Sequence, residues 1–184
     1  MIIMVGGIPC SGKTTLVRNI LNELGPSENI EPMKLFSCQA HGDILVVGRY
    51  AEGEQFGGTD RLSYGTISKF RDFIIQEVPK WKHIIIEGDR FFRSKDVEWL
   101  LNAYSSYAKI YVLMVNRAEE IKRHILRKDT QTEKWLSGRR TQISNLLTNF
   151  ELMNELEIRD NNNNKDADKI KEEICHLICT KQTQ

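Results

Sequence analysis

No stretch of this 184-residue chain approaches the roughly 20 consecutive apolar residues that a membrane-crossing helix requires. The opening MIIMVGG has neither a basic n-region nor a small-residue cleavage site, so a signal peptide is not expected. Cysteine is sparse. Cys10, Cys38, Cys175 and Cys179 form no CxxC pair, which removes the usual spacing of a zinc ribbon or dithiol motif. Cys175, His176 and Cys179 lie one helical turn apart, but packing on a C-terminal helix accounts for them more simply than a metal site. The expectation is a reduced, cytoplasmic protein without membrane contact. An excess of charge is also missing, since 26 Lys and Arg face 25 Asp and Glu for a net charge of +1. That balance argues against holding nucleic acid by bulk charge, although a local basic surface is compatible with it. Linkers, internal repeats and a second composition regime are absent. One unit spanning residues 1–184 is therefore expected, long enough to bury a core without disulfides or structural metal.

What is present alternates. Residues 1–5 are an apolar run too short for a helix and predict a buried strand. Lys13–Leu24 predicts a helix stopped at Gly25-Pro26. The runs MKLFSCQA and DILVVGRY flank His41-Gly42 and predict an antiparallel hairpin over about residues 33–50, followed by a Gly-rich polar loop. Ile67, Phe70, Ile74 and Val78 recur at helical spacing before Pro79, and HIIIEGD predicts a strand running into a charged loop. Ser94 is a candidate N-cap for a helix with Val97, Leu100, Leu101 and Tyr104 on one face. KIYVLMVN predicts another strand, with Ala118, Ile121 and Ile125 marking the helix after it. Ile143, Leu146, Leu147 and Phe150 mark a further helix, LEIRD a last short strand, and residues 161–164 a loop. Ile170, Ile174, Leu177 and Ile178 predict a closing helix. Short strands alternating with amphipathic helices imply an α/β fold whose central parallel sheet is covered on both faces.

Gly7-Ile8-Pro9-Cys10-Ser11-Gly12-Lys13-Thr14 fits GxxxxGK[ST] at every fixed position, between a predicted strand and a predicted helix. Glycines let backbone N–H groups turn inward, and the helix N-terminus adds positive partial charge, so such a loop cradles phosphates. Gly7, Cys10, Ser11, Gly12, Lys13, Thr14 and Thr15 are the candidate nucleotide-binding residues. Lys13 would reach the β- and γ-phosphates, and the Thr14 hydroxyl would hold Mg²⁺. The pattern implies a triphosphate such as ATP with Mg²⁺, but not which reaction follows.

Glu87 and Asp89, at the end of the HIIIEGD strand, are candidates for the metal site and the general base, with Asp89 paired to Thr14 as the metal set. Arg90 is a candidate phosphate or carboxylate clamp. Residues 117–140 carry eight basic residues against four acidic ones. Their polar portion, about residues 129–140, predicts a mobile lid whose Arg139 and Arg140 neutralise charge during phosphoryl transfer. By contrast, residues 151–174 carry eight acidic and four basic residues, which suits an outer surface.

With GIPCSGKTT, the EGDR strand end and an Arg-bearing lid, the chain resembles the P-loop nucleoside and nucleotide kinase superfamily over most of its length. The resemblance implies a three-layer kinase-like fold, an ATP donor with Mg²⁺, and an acceptor held between the lid and the segment after the first helix. No NKxD-like segment follows KIYVLMVN, which weakens a GTPase assignment. Where acceptor-binding helices usually stand, residues 33–65 supply the hairpin and the run GEQFGGTDRLS. Gly57 and Gly58 permit close backbone approach, Thr59, Asp60 and Arg61 offer a hydroxyl, an acid and a cation, and Phe56 or Tyr64 would stack on a base. The same run also suits a surface loop in which Thr59, Asp60 or Ser63 caps the next helix. FGGTDRLS after a short hairpin is similar to phage-type kinases that phosphorylate hydroxymethylated pyrimidines in DNA, such as 5-hydroxymethyluracil DNA kinases. That resemblance implies modified DNA as the acceptor and places Asp60 beside Glu87 and Asp89 as a candidate base. A deoxynucleoside monophosphate kinase gripping its acceptor with Arg49, Arg61 and Arg90, or a nucleotide-dependent switch, are the alternatives. Either a monomer or a homodimer is compatible with the sequence.

Overall fold

Apolar runs of four to seven residues, too short to bury as helices, assemble here into one sheet, with the polar segment ENIEPM added at its edge. The computed structural model describes residues 1–51, 53–54, 57–128 and 130–180. The strands are β1 (Ile2–Gly7), β2 (Glu28–Met33), β3 (Phe36–His41), β4 (Ile44–Val47), β5 (His83–Glu87), β6 (Ala108–Met114) and β7 (Leu156–Asp160). The helices are α1 (Lys13–Leu24), α2 (Phe70–Glu77), α3 (Ser94–Tyr104), α4 (Arg117–Arg127), α5 (Glu133–Leu147) and α6 (Asn164–Thr180). Strand order is β2-β3-β4-β5-β1-β6-β7. The five strands from β4 to β7 pair in parallel, while β2, β3 and β4 form an antiparallel meander at one edge.

Alternation along each strand sends successive side chains to opposite faces. Ile2 and Met4 join Leu45, Ile84 and Ile86 beneath α2, α3 and α5, where Phe70, Phe73, Leu100 and Leu146 are buried. Ile3 and Val5 join Val46 and Ile85 against Leu16, Ile20, Ile170 and Ile174 of α1 and α6. The molecule is thus α/β, a mostly parallel sheet flanked by helices. Stacked rings fasten α2 to the meander and to the segment after β5, with centroids 4.1 Å apart for Phe36 and Phe73 and 4.4 Å for Phe70 and Phe91. No helix among the described residues is long and apolar enough to cross a membrane.

Several elements depart from the sequence expectation. The hairpin over 33–50 is present as β3 and β4, but Lys34 and Leu35 form a turn, and the preceding residues add strand β2. Arg93 rather than Ser94 is the N-cap of α3, where its guanidinium pairs with Asp96. On α4 the outward face is the apolar one: Ile125 is 71% exposed, whereas Glu120 is buried. Ionic partners decide that orientation, because Glu120 bonds Arg117 and Arg140 and Arg123 bonds backbone carbonyls. Phe150 falls beyond the end of α5 and is 88% exposed. Cys175 is half-buried and Cys179 exposed, so of the two only Cys175 packs.

Candidate functional site

The parallel register places the ends of β1 and β5 side by side, with Val5 opposite Glu87. Beyond β1 the chain forms the glycine-rich turn and enters α1 through Gly12, whose φ of 84° is left-handed. A Cβ at Gly12 would stand 2.7 Å from Asn161 Nδ2, so both conformation and space require glycine. No side chain caps the N-terminus of α1, whereas Asn116 caps α4 and Thr132 caps α5. Its first amides and positive dipole end are left for another acceptor. The Ser11 hydroxyl is fully buried and has no hydrogen-bond partner among the described residues. Lys13 folds back over the turn, donating to the carbonyls of Gly7 at 3.0 Å and Ile8 at 3.2 Å, with Asp89 3.5 Å away. Thr14 and Cys10 face the same cleft, while Thr15 opens onto the opposite side of the loop. An uncapped helix end, an unsatisfied buried hydroxyl and an ammonium fit a polyphosphate.

Three acids close on this loop. Glu87 is 1% exposed, and its Oε1 accepts from Thr14 Oγ1 at 3.1 Å while its Oε2 accepts from the Tyr50 hydroxyl at 3.0 Å. Burial pushes its carboxyl up to about 8, against the pull of Lys13. Asp60 Oδ1 accepts from the Asp89 backbone N–H at 3.1 Å, and burial, then the nearby Asp89 carboxylate, raises the Asp60 carboxyl. It is therefore Glu87, not Asp89, that faces Thr14, and Asp89 lies against Lys13 instead. A hydroxyl that donates its hydrogen to a carboxylate keeps its lone pairs for a cation, and this all-oxygen pair suits Mg²⁺. Among the described residues no group of three or more His, Cys, Asp or Glu forms a metal cluster. A magnesium ion here would thus rely largely on phosphate and water oxygens, as it commonly does.

The polar run after β4 is a strap over these acids. Gly58 bridges Arg49 and adopts φ 66°, and a Cβ there would meet Glu87 Oε2 at 2.3 Å. Gly57 lies against Tyr50 and the Thr14 methyl. Thr59 donates to the Glu87 carbonyl at 2.9 Å, and Ser63 is the residue that caps the following turn by accepting from Gly65 N. Arg90 donates through Nε and one terminal nitrogen to the carbonyls of Thr59 and Asp60, and its other terminal nitrogen is buried without a partner among the described residues. Its guanidinium lies 4.3 Å from the ring centre of Tyr64, which is 78% exposed. Phe56, the other expected stacking platform, lies outside the described residues.

The cleft bounded by these groups measures about 450 Å³ and is closed on its far side by Arg127, Gln131, Trp135 and Arg139. Arg139 stacks over Trp135 at 5.1 Å. The lid expected over 129–140 is mostly helical, since α5 begins at Glu133, and position 129 lies outside the described residues. Arg139 and Arg140 sit on adjacent helical positions and diverge. Arg140 is taken by Glu120 and Glu133 at 2.8 Å each and does not line the cleft. Arg61 lines it while paired to Glu54 at 2.8 Å. Arg49 does not line it, so the trio Arg49, Arg61 and Arg90 does not converge.

A second groove of about 910 Å³ opens on the other side of Gly12, between α4 and residues 161–167. Asn161 and Arg123, which sequence patterning did not single out, join the two. Asn161 Nδ2 donates to the Ser11 carbonyl at 2.7 Å, and Arg123 donates to the carbonyls of Cys10 and Asn161 at 3.1 and 2.9 Å. Tyr50 is a third residue missed, since its one signal was a place beside the polar strap. No protein-family model matches the chain, and no curated protein matches it.

Proposed function

We propose that this chain is a P-loop phosphotransferase that moves the γ-phosphoryl group of ATP to a hydroxyl of a nucleobase- or nucleotide-type acceptor. The observation that carries this reading is the convergence, at one cleft, of an uncapped phosphate loop with Lys13, the Thr14–Glu87 pair, and the separate Asp60–Asp89 pair. A hydrolytic switch has little use for the second pair or for a cleft walled by Tyr64, Trp135 and Arg139. The family resemblance of GIPCSGKTT and EGDR supports the same reading.

In this proposal the turn from Gly7 to Thr14 holds the donor phosphates through backbone N–H groups and Lys13, and the groove beyond Gly12 takes the donor's base and ribose. Thr14 and Glu87 would hold Mg²⁺, which when bound supplies positive charge against the phosphate oxygens. The acceptor oxygen attacks Pγ, the bond from Pγ to the β-bridging oxygen breaks, ADP leaves, and the acceptor proton passes to a carboxylate of the Asp60–Asp89 pair. An acid whose affinity for protons is raised by burial, as at Asp60, is better matched to that task near neutrality. Arg139 faces the developing charge from the lid side.

For the acceptor, the FGGTDRLS resemblance favours the hydroxymethyl group of 5-hydroxymethyluracil in DNA. Tyr64 and Trp135 offer exposed rings at the mouth of the cleft, which suits an extruded base. A deoxynucleoside monophosphate acceptor is less favoured because Arg61 is engaged by Glu54 and Arg49 lies away. The test is transfer of labelled γ-phosphate from ATP and Mg²⁺ to nucleosides, monophosphates, unmodified DNA and DNA carrying 5-hydroxymethylpyrimidines, with Lys13→Ala as control. Label in the modified DNA alone is the expected result. Label in monophosphates would restore the nucleotide kinase, and hydrolysis without transfer would overturn the transferase reading.

A further inference from the structure

We infer that Asn161 is a positioning residue of the phosphate loop, aiming the Gly12 N–H at the triphosphate by holding the other side of the same peptide. This inference rests on the triphosphate reading above. A trans peptide points its C=O and its N–H in opposite directions. Asn161 Nδ2 donates to the Ser11 carbonyl at 2.7 Å, so the Gly12 N–H of that peptide points away from Asn161, and both Ser11 and Gly12 line the cleft with Lys13.

The grip is itself fixed. Asn161 is 4% exposed, its backbone N–H donates to the Met114 carbonyl at 2.8 Å at the end of β6, and its carbonyl accepts from Arg123 at 2.9 Å. The same guanidinium holds the preceding loop carbonyl, Cys10 O, at 3.1 Å and is anchored to Glu119 at 3.0 Å. Two consecutive carbonyls of the loop are thus held from outside by elements more than 100 residues away. Preorganised donors spare the reaction the cost of turning them, and a peptide with no outer partner would be free to flip. Asn161 also borders the groove that would take the donor's base, so direct contact with the base is the competing role.

Inorganic tripolyphosphate separates the two roles because it has no base. Binding of ATP and of tripolyphosphate to the full chain would be titrated calorimetrically for the wild type, Asn161→Ala and Arg123→Gln, alongside melting temperatures. Arg123→Gln removes the second grip from a partly exposed site and serves should Asn161→Ala fail to fold. The expected result is a parallel loss of both affinities, about tenfold, in protein that remains folded. A loss for ATP with tripolyphosphate unchanged would overturn the inference in favour of base contact. A lower melting temperature with both affinities intact would overturn it in favour of a purely structural role. A wild type that binds neither ligand would sink the triphosphate reading itself, an outcome distinct from the other two.

Discussion

Burial lifts the Glu87 carboxyl to about 8, so in the free protein its proton is retained where an unfolded glutamate has already lost it. The folded state then binds more protons than the unfolded state between about pH 4.5 and 8, and stability falls as pH rises through that window. Ligand-free protein should lose on the order of a few kcal/mol across it, and Glu87→Gln should flatten the slope in chemical denaturation at pH 5, 6.5 and 8. An unchanged slope in the variant would remove Glu87 as its source. Gly58 is the residue on which this acid leans. Alanine there meets both a left-handed φ and the Glu87 oxygens, so Gly58→Ala should cost about 1–3 kcal/mol and weaken Mg²⁺-dependent nucleotide binding. The glycine-rich turn and the place of both acids at the end of β5 were legible in the sequence, because they follow from neighbours in the chain, whereas which acid faces Thr14 was not. Tyr50 was not, because its partner Glu87 is 37 residues on and is set opposite only by the strap's path.

Helix α5 shows what periodicity does and does not settle. Leu136, Ile143 and Leu146 fix its buried face, and one residue of rotation then separates Arg139 from Arg140. The sequence pattern marks both as lid arginines, whereas packing sends one to the cleft and the other to Glu120. Arg140→Ala should lower stability by roughly 2–4 kcal/mol, since it strips a buried carboxylate of a partner, and should leave the proposed phosphoryl transfer by folded protein nearly unchanged. Arg139→Ala should do the reverse, slowing the proposed transfer tenfold or more with a small change in melting temperature. Equal effects from the two would contradict the assignment. Helix α4 defeated the hydrophobic pattern for a related reason. Ala118, Ile121 and Ile125 mark the helix, but their stripe faces outward because the contacts of Glu120 and Arg123 occupy the inner one.

At the scale of the molecule, the strand order brings together pieces that lie far apart in the chain. The alternation of strands and helices was readable, as was the place of the phosphate loop between the first of each. The meander was half readable, because β2, the sequence ENIEPM, lacks the apolar alternation that marks a strand and forms by pairing with β3. If the cleft holds a triphosphate, ATP with Mg²⁺ at a hundred times its Kd should stabilise the chain by about 2.7 kcal/mol. Lys13→Ala should abolish that thermal shift, and a shift that survives the substitution would place the nucleotide elsewhere.

The grip of Asn161 on the Ser11 carbonyl also bears on synthesis at the ribosome. The turn that would meet phosphate spans residues 7–14, yet the amide that steadies it lies some 150 residues further along the chain, just beyond β7. A nascent chain that has emerged only through α5 carries the whole GIPCSGKT signature and Arg123, but not the Asn161 that holds the Ser11 carbonyl. On the proposed reading, the outer contacts on the turn are therefore completed late in synthesis, once β7 has docked beside β6 and brought Asn161 to the Ser11 carbonyl.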